Sequence, residues 1–131
     1  MKYATHVSEL VEIARPLLGE MILSRPDMTA STVAAAIRTK SGRTYTGVCL
    51  HVSCGMGFCA EHAAIAEMIK GRETQIELLV AVCADGILAP CGRCRELMVQ
   101  VDARNFEAEV ALPNGTTTTL RNLLPDHWMA P

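Results

Sequence analysis

A chain of 131 residues suggests one domain, and its 50% apolar content supplies a core without staples. Twelve Lys and Arg against fourteen Asp and Glu give a formal charge of -2, with no basic run and few aromatics. That composition argues against an electrostatic nucleic-acid binder and makes a neutral small molecule the more natural partner.

The stretch from His6 to about Met21 carries Val7, Leu10, Val11, Ile13, Ala14, Leu17 and Leu18 at helical spacing, with Pro16 near its end. It lacks the continuous apolar region of a signal peptide, and no run approaches the roughly 18 residues of a membrane span. A cytoplasmic protein with no membrane contact is expected, where thiols stay reduced. "SRPDMTAS" reads as a loop, "TVAAAIRT" as a strand, "SGR" as a tight turn and "TYTGVCLHV" as the antiparallel partner. "SCGMG" is a glycine-rich loop. A helix follows from near Cys59 to Gly71. "QIELLVAVCA" is apolar enough for a central strand covered on both faces. "DGILAP" leads into a helix from Cys91 to about Val101, and "AEVALPNGTTTTL" forms a hairpin around Asn114-Gly115. "LRNLLPDHW" ends in a short helical turn and a tail. The order predicts one mixed sheet between helices in a single domain spanning 1–131.

Six cysteines in a reduced compartment point to metal, catalysis or packing. Cys91 and Cys94, spaced i, i+3 at a helix start, face the same way, and Cys59 opens another helix. Helix N-termini favour anions, so these thiols ionise easily there. If the two helix ends converge, three thiolates surround one point, which suits Zn²⁺ with a fourth position open to water. Glu61, two residues after Cys59, then has a carboxylate in reach of that water without ligating. An open zinc site beside a carboxylate is suited to hydrolysis. Three thiolates leave the centre formally at -1, and Arg93, Arg95 and His62 are the nearby groups able to offset this.

Two other readings remain. "CGRC" has the spacing of a thiol-disulfide oxidoreductase pair. It comes late in the chain, however, and none of Pro113, Pro125 or Pro131 after it looks like an active-site partner. Alternatively Cys54 supplies a fourth thiolate and closes a structural four-cysteine zinc clip without catalysis. Cys83, Met56, Met68 and Met98 read as core filler, and Cys49 taken alone as packing. Trp128 either packs the tail or forms an aromatic lid.

"CAE" at residues 59–61, then 28 residues (62 to 89), then "PCGRC" at 90–94 resembles the cytidine deaminase signature, of which the three-cysteine branch uses Cys at the first ligand position. "TVAAAIRTKSGRTYTGV" and "LRNLLP" extend the resemblance over most of the chain, and "TGV" with "PCGRCR" looks especially like blasticidin-S deaminase. The resemblance implies a three-layer α/β/α fold with a mixed five-stranded sheet. It implies Zn²⁺ on Cys59, Cys91 and Cys94, with Glu61 as the proton carrier in hydrolytic deamination at C4 of a cytosine nucleoside or analogue. It also implies that the Ala60 backbone lies beside the base, and that the protein is a homo-oligomer, commonly a tetramer in small members. The family's Asn-x-Glu ribose pair falls on Cys49-Leu50-His51, and its aromatic residue before the first strand falls near Ser31 or Thr32. Cys49 and His51 thus stand where the sugar is held, with neither family residue kept.

Overall fold

The computed structural model describes residues 4–130; the first three residues and Pro131 lie outside. Helix α1 (Ala4–Ala14) passes into a 3-10 turn, Arg15–Leu17, and leads to strand β1 (Met21–Ile22). The expected helix to Met21 therefore ends seven residues early. Pro16 has no N–H to continue the ladder, and it pushes Arg15 out of regular helix. Strands β2 (Thr29–Thr39) and β3 (Thr44–His51) form the expected hairpin. Then come α2 (Ala60–Lys70), β4 (Ile76–Cys83), β5 (Gly86–Leu88), α3 (Gly92–Val101), a 3-10 turn Ala103–Glu107, β6 (Glu109–Ala111), β7 (Thr117–Thr119) and a last 3-10 turn Leu120–Leu123.

The sheet has seven strands rather than five. The pairings account for the difference. β3 takes one edge of β2, so β1 and β4 share the other, at Thr29–Ala30 and from Ala34 onward. Likewise β5 and β6 share the far edge of β4. Seven strands thus fill five positions across the sheet. The β4–β6 pair is parallel and the rest are antiparallel, so the sheet is mixed as expected.

Strand alternation sorts the core into two layers. Ala34, Ala36, Leu78, Val80 and Val82 pack against Val7, Leu10 and Ala14 of α1. Ala35, Ile37, Leu79 and Ala81 face the other way, onto Ala64, Ile65 and Met68 of α2 and Met98 and Val99 of α3. β4 is covered on both faces, which is why its sequence is an unbroken apolar run. Met68 and Met98 are fully buried, whereas Met56 is 72% exposed on the glycine-rich loop and fills no core. Cys83, at the end of β4, is half-buried.

Asn105 is one of the polar residues buried with the core. It is fully buried, its Oδ1 accepts from the Ile76 N–H at 2.8 Å, and its Nδ2 donates to the carbonyls of Met98 (2.9 Å) and Thr74 (3.0 Å). One side chain thereby ties the last turn of α3 to the start of β4. Replacing it by Ala strands buried backbone groups at about 1–3 kcal/mol each. Asn105→Ala is expected to lose about 3 kcal/mol or more in urea unfolding, and a loss under about 1 kcal/mol would mean that the three bonds are not the link described.

A candidate metal centre and active site

Two helices deliver their N-termini to one place. Cys59 is the N-cap of α2 and Cys91 the N-cap of α3, both with extended backbone, and Cys94 sits in the first turn of α3. The α2 end reaches this position because Gly47 of β3 lies under it. A Cβ at Gly47 would stand 2.6 Å from the Ala63 Cβ and 2.7 Å from the Ala60 carbonyl oxygen, closer than atoms can pack. The sulfurs of Cys59 and Cys91 are 3.6 Å apart and those of Cys91 and Cys94 3.5 Å, with all three within 4.8 Å of one another. Tetrahedral zinc with bonds of about 2.3 Å sets neighbouring sulfurs roughly 3.8 Å apart. The thiol triangle fits such an ion.

Cys54 lies outside this group, exposed on its loop with φ 62°. The four-cysteine clip is therefore not formed. A third thiol and a carboxylate also stand at the CGRC pair, which a dithiol couple does not require.

The thiols differ in acidity. Burial pushes Cys59 up, reinforced by Cys91. Cys94 is pushed far up by burial, by the Glu61 carboxylate and by the other sulfurs. Burial also opposes ionisation of Cys91, but backbone N–H groups of Cys94 and Arg93 and the neighbouring thiols outweigh it and lower its pKa. Metal uptake therefore has to expel protons, least readily from Cys94. Glu61 is 5% exposed in the first turn of α2, and burial raises its pKa against the help of its own N–H and the Cys94 thiol.

Around the sulfurs, His62 Nδ1 lies 3.5 Å from Cys94 Sγ. Burial, then the positive Arg93, lower the His62 pKa. Arg95 does not turn to the sulfurs as expected. Its Nε donates to the Pro90 carbonyl (2.8 Å) and its Nη1 to the Leu123 carbonyl (3.3 Å), so it braces the turn before Cys91 against the last 3-10 helix.

A cavity of about 140 Å³ opens beside the triangle. Cys59, Ala60, Glu61 and Cys91 line it from the helix ends, Cys49 and His51 from β3. Val33, Leu88 and Ala89 complete the wall, and the sequence reading missed all three. Asp85-Gly86 was the available signal, since a DG pair between apolar runs marks a hairpin and would have turned Leu88 back beside β4. Trp128 does not line this cavity. Its Nε1 donates to Glu96 Oε2 at 3.2 Å, its ring lies over His127, and it is 75% exposed.

Residues 8–109 match the family model described as cytidine and deoxycytidylate deaminase zinc-binding region. Blasticidin-S deaminase of Bacillus cereus is 30% identical over 129 residues, 89% of this chain and 88% of that protein. Cytidine deaminase of Mycobacterium tuberculosis is 37% identical over 75 residues, a match that spans about half of each chain (52% and 53%). The crystal structure of cytidine deaminase from Mycobacterium tuberculosis superposes with a TM-score of 0.77 at 26% identity, covering 94% of this chain and 97% of that one. That from Mycobacterium leprae gives 0.75 at 26%, covering 91% and 97%.

The three-sulfur geometry predicts about one zinc per purified chain, because three thiolates and one open position make one centre. Cys91→Ala is expected to lose the metal and to unfold at lower temperature, since metal affinity is part of folding free energy. Elemental analysis of both proteins checks this, and full zinc content in the variant would remove Cys91 from the site.

Proposed function

The chain belongs to the cytidine and deoxycytidylate deaminase family, whose zinc-dependent enzymes carry out cytidine deaminase-type chemistry, and from that premise we propose that it hydrolyses the C4 amino group of a cytosine nucleoside or analogue while gripping the base firmly and the sugar loosely. The observation that carries this reading is the buried Glu61 beside the three-cysteine triangle in a cavity of base-like scale.

Cys59, Cys91 and Cys94 are the residues to hold Zn²⁺, which when bound supplies a Lewis acid that makes water nucleophilic near neutral pH. Glu61 takes a proton from the attacking water and delivers it to ring N3, then takes the proton of the new C4 hydroxyl and passes it to the C4 amino group, which departs as ammonia while C4=O forms. Burial suits it to this work by raising its proton affinity toward the working range. The Ala60 backbone lies along the cavity beside the base. His62 stabilises the Cys94 thiolate through its 3.5 Å contact, and Arg93 adds positive charge nearby.

Loose sugar recognition rests on Cys49. It is 2% exposed, and its sulfur already meets Thr32 Oγ1 and the Val33 N–H, each at 3.3 Å. A thiol so engaged, and weak as a partner in any case, cannot replace an amide for a ribose hydroxyl. His51 remains as the one polar side chain of β3 on this cavity. A bulkier cytosine compound such as blasticidin S therefore competes with cytidine, in keeping with the similarity to blasticidin-S deaminase. Assembly as a homotetramer, with action in the cytoplasm on a free small molecule, belongs to the same reading. Met21, Ile22, Met56 and Trp128 offer exposed apolar surface for such assembly, and in it Trp128 would act as a lid only across a subunit boundary. No helix among the described residues is long and apolar enough to cross a membrane.

Glu61→Gln is expected to keep its zinc and fold while ammonia release falls by about 10⁴-fold, the upper end for general acid–base catalysis. Loss of zinc in that variant would make Glu61 a ligand instead. For the sugar, the expected cost of removing both ribose hydroxyls is on the order of 1 kcal/mol, about one neutral hydrogen bond. Specificity constants for cytidine, 2′,3′-dideoxycytidine and blasticidin S measure it. A drop of roughly a hundredfold for the dideoxy compound would show a tight ribose site elsewhere in the cavity.

A further inference from the structure

Residues 88–91 do two jobs in one stretch. Leu88 and Ala89 form part of the cavity wall, and Cys91 is a corner of the thiol triangle. Regular structure leaves the link between them unsupported. The β4–β5 pairing ends at Leu88, and α3 begins only at Gly92. Pro90 has no N–H to give, so its carbonyl is the handle by which its backbone can be held. A shift of that turn would move wall and sulfur together.

Arg95 takes the handle. Its Nε donates to the carbonyl of buried Pro90 at 2.8 Å, and its backbone N–H donates to the Cys91 carbonyl at 3.0 Å. From the same guanidinium, Nη1 donates to the Leu123 carbonyl at 3.3 Å. Leu123 is a firm anchor. Leu120 of the same 3-10 turn is fully buried, and its N–H meets the Ala108 carbonyl at 2.8 Å. The partners set Arg95 apart. Arg25, Arg38, Arg104 and Arg121 each meet a carboxylate, whereas half-buried Arg95 meets only neutral carbonyls among the described residues. No ion pair explains an arginine here. What the position uses is a rigid fork that spans two carbonyls.

We propose, on the deaminase reading above, that Arg95 is a positioning residue for the reaction. Its fork ties residues 88–91 to the last 3-10 turn, and so fixes both the cavity wall and the Cys91 sulfur relative to Cys59, Cys94 and Glu61. It touches none of the reacting atoms and acts through the residues it holds. The C-terminal turn thereby becomes part of the frame of the site.

Arg95→Met and Arg95→Lys test this in the full chain, loaded with zinc for ammonia release from cytidine and with cobalt for visible absorption. Methionine keeps the stem and loses every donor. Per bound zinc, kcat is expected to fall roughly a hundredfold in Arg95→Met, the scale of a misplacement of about 1 Å. Arg95→Lys is expected to fall roughly tenfold, because a point charge cannot span two carbonyls as a planar fork does. In both variants the sulfur-to-cobalt absorption bands should move, since they follow the placement of the Cys91 sulfur at the metal. A role in stability alone would lower the melting temperature and leave the bands and the kcat per zinc unchanged. Elemental analysis supplies the metal count, so incomplete loading is divided out. Should Arg95→Met fail to fold, Arg95→Lys decides by the same readouts. Parental bands, or parental kcat per zinc, in a variant that folds overturn the positioning role while leaving deamination intact. Silence of the zinc-loaded parent toward every cytosine compound overturns the deaminase reading instead, and the role of Arg95 in it.

Discussion

Three thiols crowded within 4.8 Å of one another cannot all ionise without a cation among them. Burial makes this worse for Cys59 and Cys94, while the N–H groups opening α3 relieve only Cys91. The site is therefore built around a deficit of positive charge, and the rest of the fold serves to hold the three sulfurs where one ion can fill it. Gly47 lets α2 descend far enough, Asn105 ties α3 to β4, and Arg95 fixes the turn that leads into Cys91. Glu61 inherits its place from the same arrangement, since it follows Cys59 by half a turn of helix.

Much of the architecture was legible because pattern and environment agreed. The apolar run of β4 reported burial on both faces, and Ala34 to Ile37 alternated between the two core layers. What escaped was short or held by side chains distant in sequence. β1 has two residues and is made by pairing with β2, so nothing local marks it. β5 had a turn signal in Asp85-Gly86, but three residues before a motif rich in cysteine were read as a lead-in. Asn105 gave no sign, because a buried asparagine differs from an exposed one only in its partners.

At the site, spacing did most of the work. Cysteines i, i+3 at a helix start must face one way, and a glutamate two residues past a third cysteine must lie in the first turn. Directions of long side chains were not legible. Arg95 and Arg93 stand two residues apart on α3, about 200° around the helix, so one meets the body and the other an open cavity lined also by His51 and Phe58. Trp128 likewise could not be placed from its sequence, since Glu96 holds it from another element and leaves most of its ring in solvent.

β3 carries Gly47, Cys49 and His51 on one face, two residues and about 7 Å apart at each step. The first has no room for a methyl group, the second is sealed but faces a cavity, and the third is open to solvent. The strand thus works as a graded scale of tolerance. Substitution is forbidden where it would lift the helix that carries Cys59 and, on the proposed function, freer where it would meet a substrate. On the proposed function, selectivity can drift along that scale over evolutionary time, at positions 49 and 51, without disturbing the three clustered cysteines. A laboratory library confined to those two codons would sample new substrates on an unchanged reaction centre.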